Sequence, residues 1–334
     1  MSKITVVLDR KGLSVSMDAN AMRVDRPDGP PQRFPIDYID KVVVIGRPEV
    51  TCDVWRALAA KNIPGLLLPG RGRGAAAHVG PWPSSSAPIR LAQFKTISEK
   101  DTAIPLCRLL ISKKLDGQLD VIRKRLNVNT EVTAMLGQME EARKRISGSQ
   151  DRNNLLGLEG AAASAYFKAI GKTISSKWGF FGRNRRPPKD PLNALFSLGY
   201  TLGTSEIRRE ILIAGLDPAI GFLHANQTCR EGLTLDLLEP LRPVIDDFAL
   251  GLISKILTPN HFVTNRQDGC LLTKDGRKRF FKEWFSFASS DDINTNLKMM
   301  AKEIVILFRD WIDENPSFQP EATALCPLVP SVKK

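Results

Sequence analysis

The sequence is poor in histidine, in aromatic residues and in paired cysteines. It has only three histidines, and aromatic residues make up 7% of the chain, so aliphatic side chains must build the core. Its five cysteines never form a CxxC pair, which argues against a disulfide framework and a zinc site. No apolar run approaches the roughly 20 residues of a membrane-spanning helix, and the opening apolar run is too short for a signal peptide. We therefore expect a cytoplasmic protein.

Negative charge is also in short supply. The chain has 36 Asp and Glu against 48 Lys and Arg, which gives a formal net charge of +12. Such a surface attracts polyanions, so nucleic acid, an acidic membrane surface and acidic proteins are all candidate partners. A membrane is the weakest of these, because the sequence has no basic amphipathic helix with a wide apolar face.

The first part of the chain favours strands. Apolar residues alternate or are β-branched at 13–17, 41–46 and 63–69, and one short helix is expected at 51–62. We therefore assign residues 1–80 to a small β-rich domain.

The rest of the chain favours helices. A segment dense in proline and serine predicts a linker at 81–90. Beyond it, apolar residues recur at helical spacing, which predicts a helical domain over 91–320. The final residues, 321–334, are expected to form a loose tail. The sequence thus predicts an α+β protein, in which a small β-rich N-terminal domain precedes a larger all-α domain.

Two polar residues of the helical part have unusual surroundings. His224 follows Gly221 and two apolar residues, and Glu159 lies beside Gly160 in a helix of small residues. Glycine allows another backbone or a phosphate to approach closely. The alternatives are a histidine with a satisfied hydrogen bond and a glutamate that faces solvent near a helix start.

A third candidate is the acidic pair Asp236 and Glu239. The two residues are three apart, so they share one face of a helix, which Pro240 must kink or begin. The alternative is an ordinary acidic face with Arg242 as its ion-pair partner. Carboxylates suit Mg²⁺ or Mn²⁺, and one imidazole is compatible with Mn²⁺. A metal of this kind could act on a phosphodiester, which the basic surface would attract.

A basic loop with aromatic residues lies at 175–190 and is a candidate DNA-binding segment. Its basic residues, which could neutralise phosphates, are Lys177, Arg183, Arg185 and Arg186. Its aromatic residues, which could stack on bases, are Trp178, Phe180 and Phe181. The equally favoured alternative is that these aromatic side chains pack back onto the core.

Four separated segments, in this order, resemble the motifs of one protein family. They are residues 155–162 (LLGLEGAA), 190–200 (DPLNALFSLGY), 215–224 (GLDPAIGFLH) and 235–243 (LDLLEPLRP). The family is the CRISPR-associated endonuclease and integrase of spacer acquisition. The strand-rich start and the linker resemble it too, so the resemblance covers most of the chain.

The resemblance implies a divalent-metal site. Glu159, His224 and Glu239 would be the catalytic residues that bind Mg²⁺ or Mn²⁺. Three further residues would assist them as possible metal ligands or brace the site from behind: Asp236, Asn193 and Tyr200. Arg242, beside Glu239, would join the residues of the basic loop in binding DNA.

The resemblance also implies an activity and partners. The 3′-hydroxyl of a short duplex would attack a phosphodiester of the repeat array, and the same site could cut branched DNA. The protein would be a prokaryotic homodimer, paired largely through its β-rich domain, and would bind the small partner protein of the acquisition complex. The alternative is a non-catalytic DNA-binding scaffold of the same complex.

Overall fold

The computed structural model describes residues 3–70, 76–80, 87–98, 102–127, 129–184, 187–224, 231–265, 267–290 and 296–314. The strands in these ranges are β1 (Ile4–Leu8), β2 (Ser14–Asp18), β3 (Ala21–Arg26), β4 (Gly29–Pro35), β5 (Ile39–Ile45), β6 (Glu49–Val50), β7 (Gly65–Leu68), β8 (Ala77–Val79), β9 (Phe262–Asn265) and β10 (Gly269–Leu272). The helices are α1 (Cys52–Ala60), α2 (Ala87–Ser98), α3 (Ile104–Arg125), α4 (Thr130–Gly148), α5 (Arg152–Thr173), α6 (Pro191–Ile213), α7 (Gly232–Leu238), α8 (Arg242–Lys255), α9 (Lys274–Ala288) and α10 (Leu297–Glu314).

The N-terminal strands form two four-stranded sheets. In the first, of order β1-β5-β7-β8, the first three strands run parallel and β8 is antiparallel to β7. In the second, of order β4-β3-β2-β6, the three long strands are antiparallel and the short β6 runs parallel to β2. The two sheets and α1 enclose a small core of buried aliphatic side chains. The fold class predicted for this region is confirmed.

Strand β5 shows why this part of the sequence is so evenly apolar. Its side chains alternate between two buried faces. Val42 and Val44 enter the small core, whereas Val43 packs with Leu66 and Leu68 into the large core of the helical region. The first sheet therefore lies between the two cores and joins them.

A buried ion pair spans this junction. Lys41 of β5 contacts Glu206 of α6, and both side chains are buried. Lys298 of α10 also reaches Asp40, with Nζ 2.5 Å from Oδ2. A buried charge needs a partner of opposite sign, because removing a charge from water costs free energy that only the attraction to the partner offsets.

The helices begin where the sequence provides capping side chains. Asn129, Asp151 and Asp190 precede α4, α5 and α6, and each side chain accepts a hydrogen bond from a backbone N–H of the first turn. None of the helices in the described residues combines the length and apolar character that crossing a bilayer requires.

The kink or helix start expected at Pro240 is present, since the chain is divided there into α7, a 3-10 turn and α8, and Pro240 and Pro243 each lack the N–H that a continuous helix needs. Two details differ from the sequence-based expectation. Helix α2 begins at Ala87, inside the segment 81–90 predicted to be a linker. The predicted all-α region also contains the hairpin of β9 and β10, whose four-residue strands are too short to leave a clear pattern. The predicted tail, 321–334, lies outside the described residues.

A buried carboxylate joins the three helices behind the candidate site. Asp246 of α8 accepts hydrogen bonds from the hydroxyls of Tyr166 on α5, at 3.1 Å, and Tyr200 on α6, at 2.5 Å. Burial raises the pKa of Asp246 to about 6, although both phenol hydrogen bonds oppose the rise. Asp246 therefore holds a proton in the folded protein at pH values where it is ionised in the unfolded chain.

This shift predicts how Asp246 affects stability. The pKa of Asp246 is about 4 in the unfolded chain and about 6 in the folded protein. Its contribution to the free energy of unfolding is therefore fully present below about pH 4 and is lost as the pH rises through about 6. Two pKa units correspond to about 3 kcal/mol. Relative to Asp246→Asn, which stays neutral, wild type should lose up to about 3 kcal/mol of unfolding free energy between pH 4 and pH 7.

Urea unfolding at both pH values would measure this difference. Asp120→Asn, which removes an exposed carboxylate of α3, is the matched control and should follow wild type. Parallel pH profiles for wild type and Asp246→Asn would show that Asp246 is not protonated on folding.

Candidate metal centre

The loop that carries His224 is held by a single carboxylate. Asp236 on α7 is fully buried and accepts hydrogen bonds from the backbone N–H groups of Phe222, Leu223 and His224, at 2.6, 2.8 and 2.9 Å. The loop reaches α7 only because residue 221 is glycine. A Cβ on Gly221 would lie 2.4 Å from the carbonyl carbon of Gly232 and 2.8 Å from Oδ2 of Asp236.

The same carboxylate orients the imidazole. Nδ1 of His224 lies 2.7 Å from Oδ1 of Asp236, and Nε2 lies 3.9 Å from Oε1 of Glu239. The hydrogen bond to Asp236 raises the pKa of His224, and it outweighs the opposite effect of burial. When Nδ1 donates to Asp236, the neutral ring presents the lone pair of Nε2 towards Glu239. Asp236 thus stands behind the imidazole.

Glu239 lies at the kink between α7 and α8. It begins the 3-10 turn Glu239–Leu241, where Pro240 interrupts the helix and the chain changes direction. Its carboxylate is almost fully buried, with Oε1 2.9 Å from Nε of Arg242 and Oε2 2.6 Å from Nζ of Lys114. Burial alone would raise the pKa of Glu239, but the charges of Arg242 and Lys114 lower it to about 2.

Glu159 lies at the more open side of the same cluster. Its side chain on α5 is 20% exposed and forms an ion pair with Lys114. Gly157 and Gly160, on either side, face open space, because a Cβ at either position would meet no atom within 4 Å. These glycines belong to the exposed face of α5, and Glu159, which is turned about 100° around the helix from Gly160, lies at the edge of that face.

Lys114 links the two glutamates, and the sequence-based reasoning missed it. Its ammonium contacts both Glu159 and Glu239, and its side chain is 7% exposed. Burial lowers the pKa of Lys114, but the charges of Glu239 and Glu159 outweigh this effect and raise it. The signal was present in the sequence, since Lys114 shares the buried face of α3 with Leu110 and Ile111. Lysine is almost never buried without a partner.

A stack of cationic and aromatic groups supports Arg242. The guanidinium carbon of Arg242 lies 4.6 Å from the ring centre of Tyr200, and that of Arg183 lies 5.4 Å from the same ring. Asn193 accepts a hydrogen bond from Arg183 at 2.7 Å and donates to the carbonyl of Gly182 at 2.8 Å. Asn193 and Tyr200 therefore brace the site through the two arginines.

The aromatic residues of the basic loop have different environments. Trp178 and Phe180 are buried, and Trp178 packs edge-on against Phe262 at 6.2 Å. The prediction that Trp178 stacks on DNA bases is therefore corrected, because its ring serves the core. Phe181, by contrast, is 95% exposed and Lys177 is exposed. Arg185 and Arg186 lie outside the described residues.

The donor set fits a hard divalent cation. Two carboxylates and an imidazole nitrogen are suitable ligands for Mg²⁺ or Mn²⁺, and the ammonium of Lys114 already stands where both carboxylates meet. Among the described residues, no three His, Cys, Asp or Glu side chains are grouped closely enough to form a complete cage. A bound metal would have to draw Glu159, His224 and Glu239 together.

Comparison with known proteins identifies the family. Residues 6–286 match the family model described as CRISPR associated protein Cas1. A relative from Rhodospirillum rubrum, named CRISPR-associated endonuclease Cas1 2, is 35% identical over 297 residues, which cover 84% of this chain and 85% of the relative.

Two solved structures share the fold. A casposase bound to integration product has a TM-score of 0.78 at 19% identity, and the match covers 96% of this chain and 92% of that one. A chain of a Cas6-RT-Cas1–Cas2 complex has a TM-score of 0.81 at 20% identity, with 94% of this chain and 35% of that longer chain covered. The family model spans most of the sequence and the Rhodospirillum relative is similar over nearly its whole length, so the chain belongs to the Cas1 family.

Proposed function

We propose that the protein is a divalent-metal-dependent DNA endonuclease and integrase of CRISPR adaptation. One observation carries the proposal: the ammonium of Lys114 contacts both Glu159 and Glu239, and Nε2 of His224 lies 3.9 Å from the other carboxylate oxygen of Glu239. Mg²⁺ or Mn²⁺ bound by these two carboxylates and this imidazole would polarise a phosphodiester and orient the attacking oxygen.

The reaction needs no covalent intermediate with the protein. In strand transfer, the 3′-oxygen of a short duplex forms a new bond to a phosphorus atom of the repeat array, and the bond from that phosphorus to its original 3′-oxygen breaks. Glu159, His224 and Glu239 would hold the cation, and Asp236 orients the ring of His224 for that role. Arg242, next to Glu239, adds positive charge near the reacting phosphate.

The net charge and the exposed face of α5 beside Glu159 favour a large polyanionic substrate. The net charge of +12 attracts DNA, and the space beside Gly157 and Gly160 leaves room for a phosphate backbone. The casposase neighbour, which is bound to integration product, supports DNA as substrate, and we propose that this DNA is double-stranded or branched. The exposed Phe181 and Lys177, which follow the C-terminal end of α5, offer a stacking face and a charge for DNA.

The proposal extends to protein partners. The neighbour from the Cas6-RT-Cas1–Cas2 complex supports a small CRISPR-associated partner. We also propose a homodimer, in which the β-rich domain supplies most of the contacts.

The first prediction concerns the metal ligands. Glu159→Gln and Glu239→Gln should each lower strand transfer at least about 100-fold, because a divalent cation loses one of two charged ligands. The assay would join a labelled short duplex to a supercoiled repeat plasmid with Mn²⁺ and the small partner, and EDTA should abolish joining. Glu140→Gln removes an exposed carboxylate of α4 and is the matched control.

The same assay distinguishes an enzyme from a scaffold. Full joining by Glu159→Gln would overturn the assignment of that ligand. Wild type that binds DNA equally well in EDTA and joins nothing with Mn²⁺ would instead support a non-catalytic scaffold.

A second prediction concerns Asp236. In Asp236→Asn an NH₂ group must face either the backbone donors or His224, because the present carboxylate accepts from all of them. We expect Mn²⁺ affinity and strand transfer to fall by about 10- to 100-fold. Asp116→Asn, in which an exposed partner of Arg143 is changed, serves as the control. Unchanged Mn²⁺ affinity in Asp236→Asn would show that the imidazole needs no such support.

A third prediction tests the open side of the site. Gly160→Leu should not destabilise the fold, because leucine favours helix and the position is open. It should nevertheless weaken DNA joining if the duplex passes over this turn of α5. Gly137→Leu on the exposed face of α4 is the matched control. Strand-transfer rates and melting temperatures measure the two effects, and equal rates for both variants would place the DNA elsewhere.

A further inference from the structure

The position of Lys114 is unusual for a lysine. Its stem emerges from the face of α3 that carries the fully buried Leu110 and Ile111, and its ammonium ends between two carboxylates. Glu159 and Glu239 come from α5 and from the turn before α8, so the ammonium joins three separate parts of the helical core.

The ammonium of Lys114 supplies the positive charge that two neighbouring carboxylates require. Two carboxylates that face one point repel each other, and a buried carboxylate without a nearby positive charge is costly. Arg242 forms an ion pair with one oxygen of Glu239. Lys114 forms ion pairs with the other oxygen of Glu239 and with Glu159. The cluster is therefore electrostatically complete without a metal.

A divalent cation held by Glu159 and Glu239 needs the space that this ammonium fills. Two positive charges cannot share the same pair of carboxylate oxygens at contact distance, because their mutual repulsion is strong where water is excluded. The stem of Lys114 is flexible enough to withdraw, since lysine has four rotatable bonds.

We propose that Lys114 is a built-in counter-cation, which positions Glu159 and Glu239 in the metal-free protein and must be displaced when the divalent ion binds. This inference rests on the proposed metal site. The ammonium is then a competitor of the metal, and it lowers the apparent affinity of the site for Mg²⁺ or Mn²⁺.

A second buried pair in the same protein makes a matched control. Lys41 and Glu206 are also a buried lysine and a buried glutamate in contact, but they join β5 to α6 and neither is a proposed metal ligand. Lys41→Met and Lys114→Met therefore remove the same charge from similarly buried positions. Only the second should alter metal binding.

The first test is a Mn²⁺ titration of the full chain without DNA, followed by the electron paramagnetic resonance signal of free Mn²⁺. Lys114→Met should bind Mn²⁺ at least about tenfold more tightly than wild type, whereas Lys41→Met should match wild type. The melting temperature of Lys114→Met should be lower without metal and should rise more than that of wild type on adding Mn²⁺. Equal or weaker binding by Lys114→Met would overturn the proposal.

A companion variant separates this inference from the proposed function. Glu159→Gln should lose most Mn²⁺ binding. If it binds like wild type, the proposed ligands are wrong, and if neither wild type nor Lys114→Met binds Mn²⁺, both proposals fail. If Glu159→Gln loses binding while Lys114→Met equals wild type, only the role of Lys114 is refuted.

A measurement on wild type covers the case in which Lys114→Met does not fold. The ammonium-bearing carbon of each lysine can be followed by NMR in protein labelled with ¹³C-lysine, with Lys114→Arg used to assign the signal. Adding Mg²⁺ should shift the Lys114 signal and leave that of Lys41 unchanged. An unmoved Lys114 signal at saturating Mg²⁺ would contradict displacement.

Discussion

A carboxylate that is buried in the helical core needs hydrogen-bond donors or a positive charge nearby. This requirement determines how the candidate site is arranged. Asp236 meets it with three backbone N–H groups and an imidazole, Asp246 with two phenols, and Glu239 with a lysine and an arginine. The three solutions differ in their chemistry. Asp236 stabilises a loop, Asp246 keeps a proton up to about pH 6, and Glu239 stays ionised between Lys114 and Arg242.

These solutions are linked through neighbouring groups. Tyr200 donates to Asp246 and lies under Arg242, and Arg242 neutralises Glu239. On the other side, the carboxylate of Asp236 holds His224 with Nε2 towards Glu239. The position of Glu239 therefore depends on α6, α7 and α8 together, and a change behind the site can reach it without touching a ligand.

The sequence identifies the acids and the imidazole much better than their partners. Glu159, His224 and Glu239 lie in short local motifs, and so does Asp236, whose role behind the imidazole follows from contacts only 12 to 14 residues away. Lys114 contacts residues 45 and 125 positions away, and no local pattern encodes such a pairing. Its burial was readable from the helical period of α3, but the identity of its partners was not.

The same distinction explains the fold. Strand β5 was predictable because β-branched residues fill both of its faces, and the long helices were predictable from the spacing of their apolar residues. The hairpin of β9 and β10 was not, because its strands have only four residues each and its buried Cys270 pairs with Pro188, far along the chain. Trp178 shows where sequence cannot predict a functional role. A tryptophan in a basic loop could stack on DNA bases or pack into the core, and only its contact with Phe262 decides between the two.

A site that is electrostatically complete without metal has a consequence for folding. In small zinc domains the metal supplies the folding energy, so the apo chain is unfolded. Here Lys114 and Arg242 already compensate Glu159 and Glu239, and a large aliphatic core surrounds them. The carboxylates of the proposed metal site are therefore held in place by the folded chain itself, and folding should not require a metal. The helical core sets where the carboxylates lie, and the ammonium of Lys114 is the cation that keeps them together.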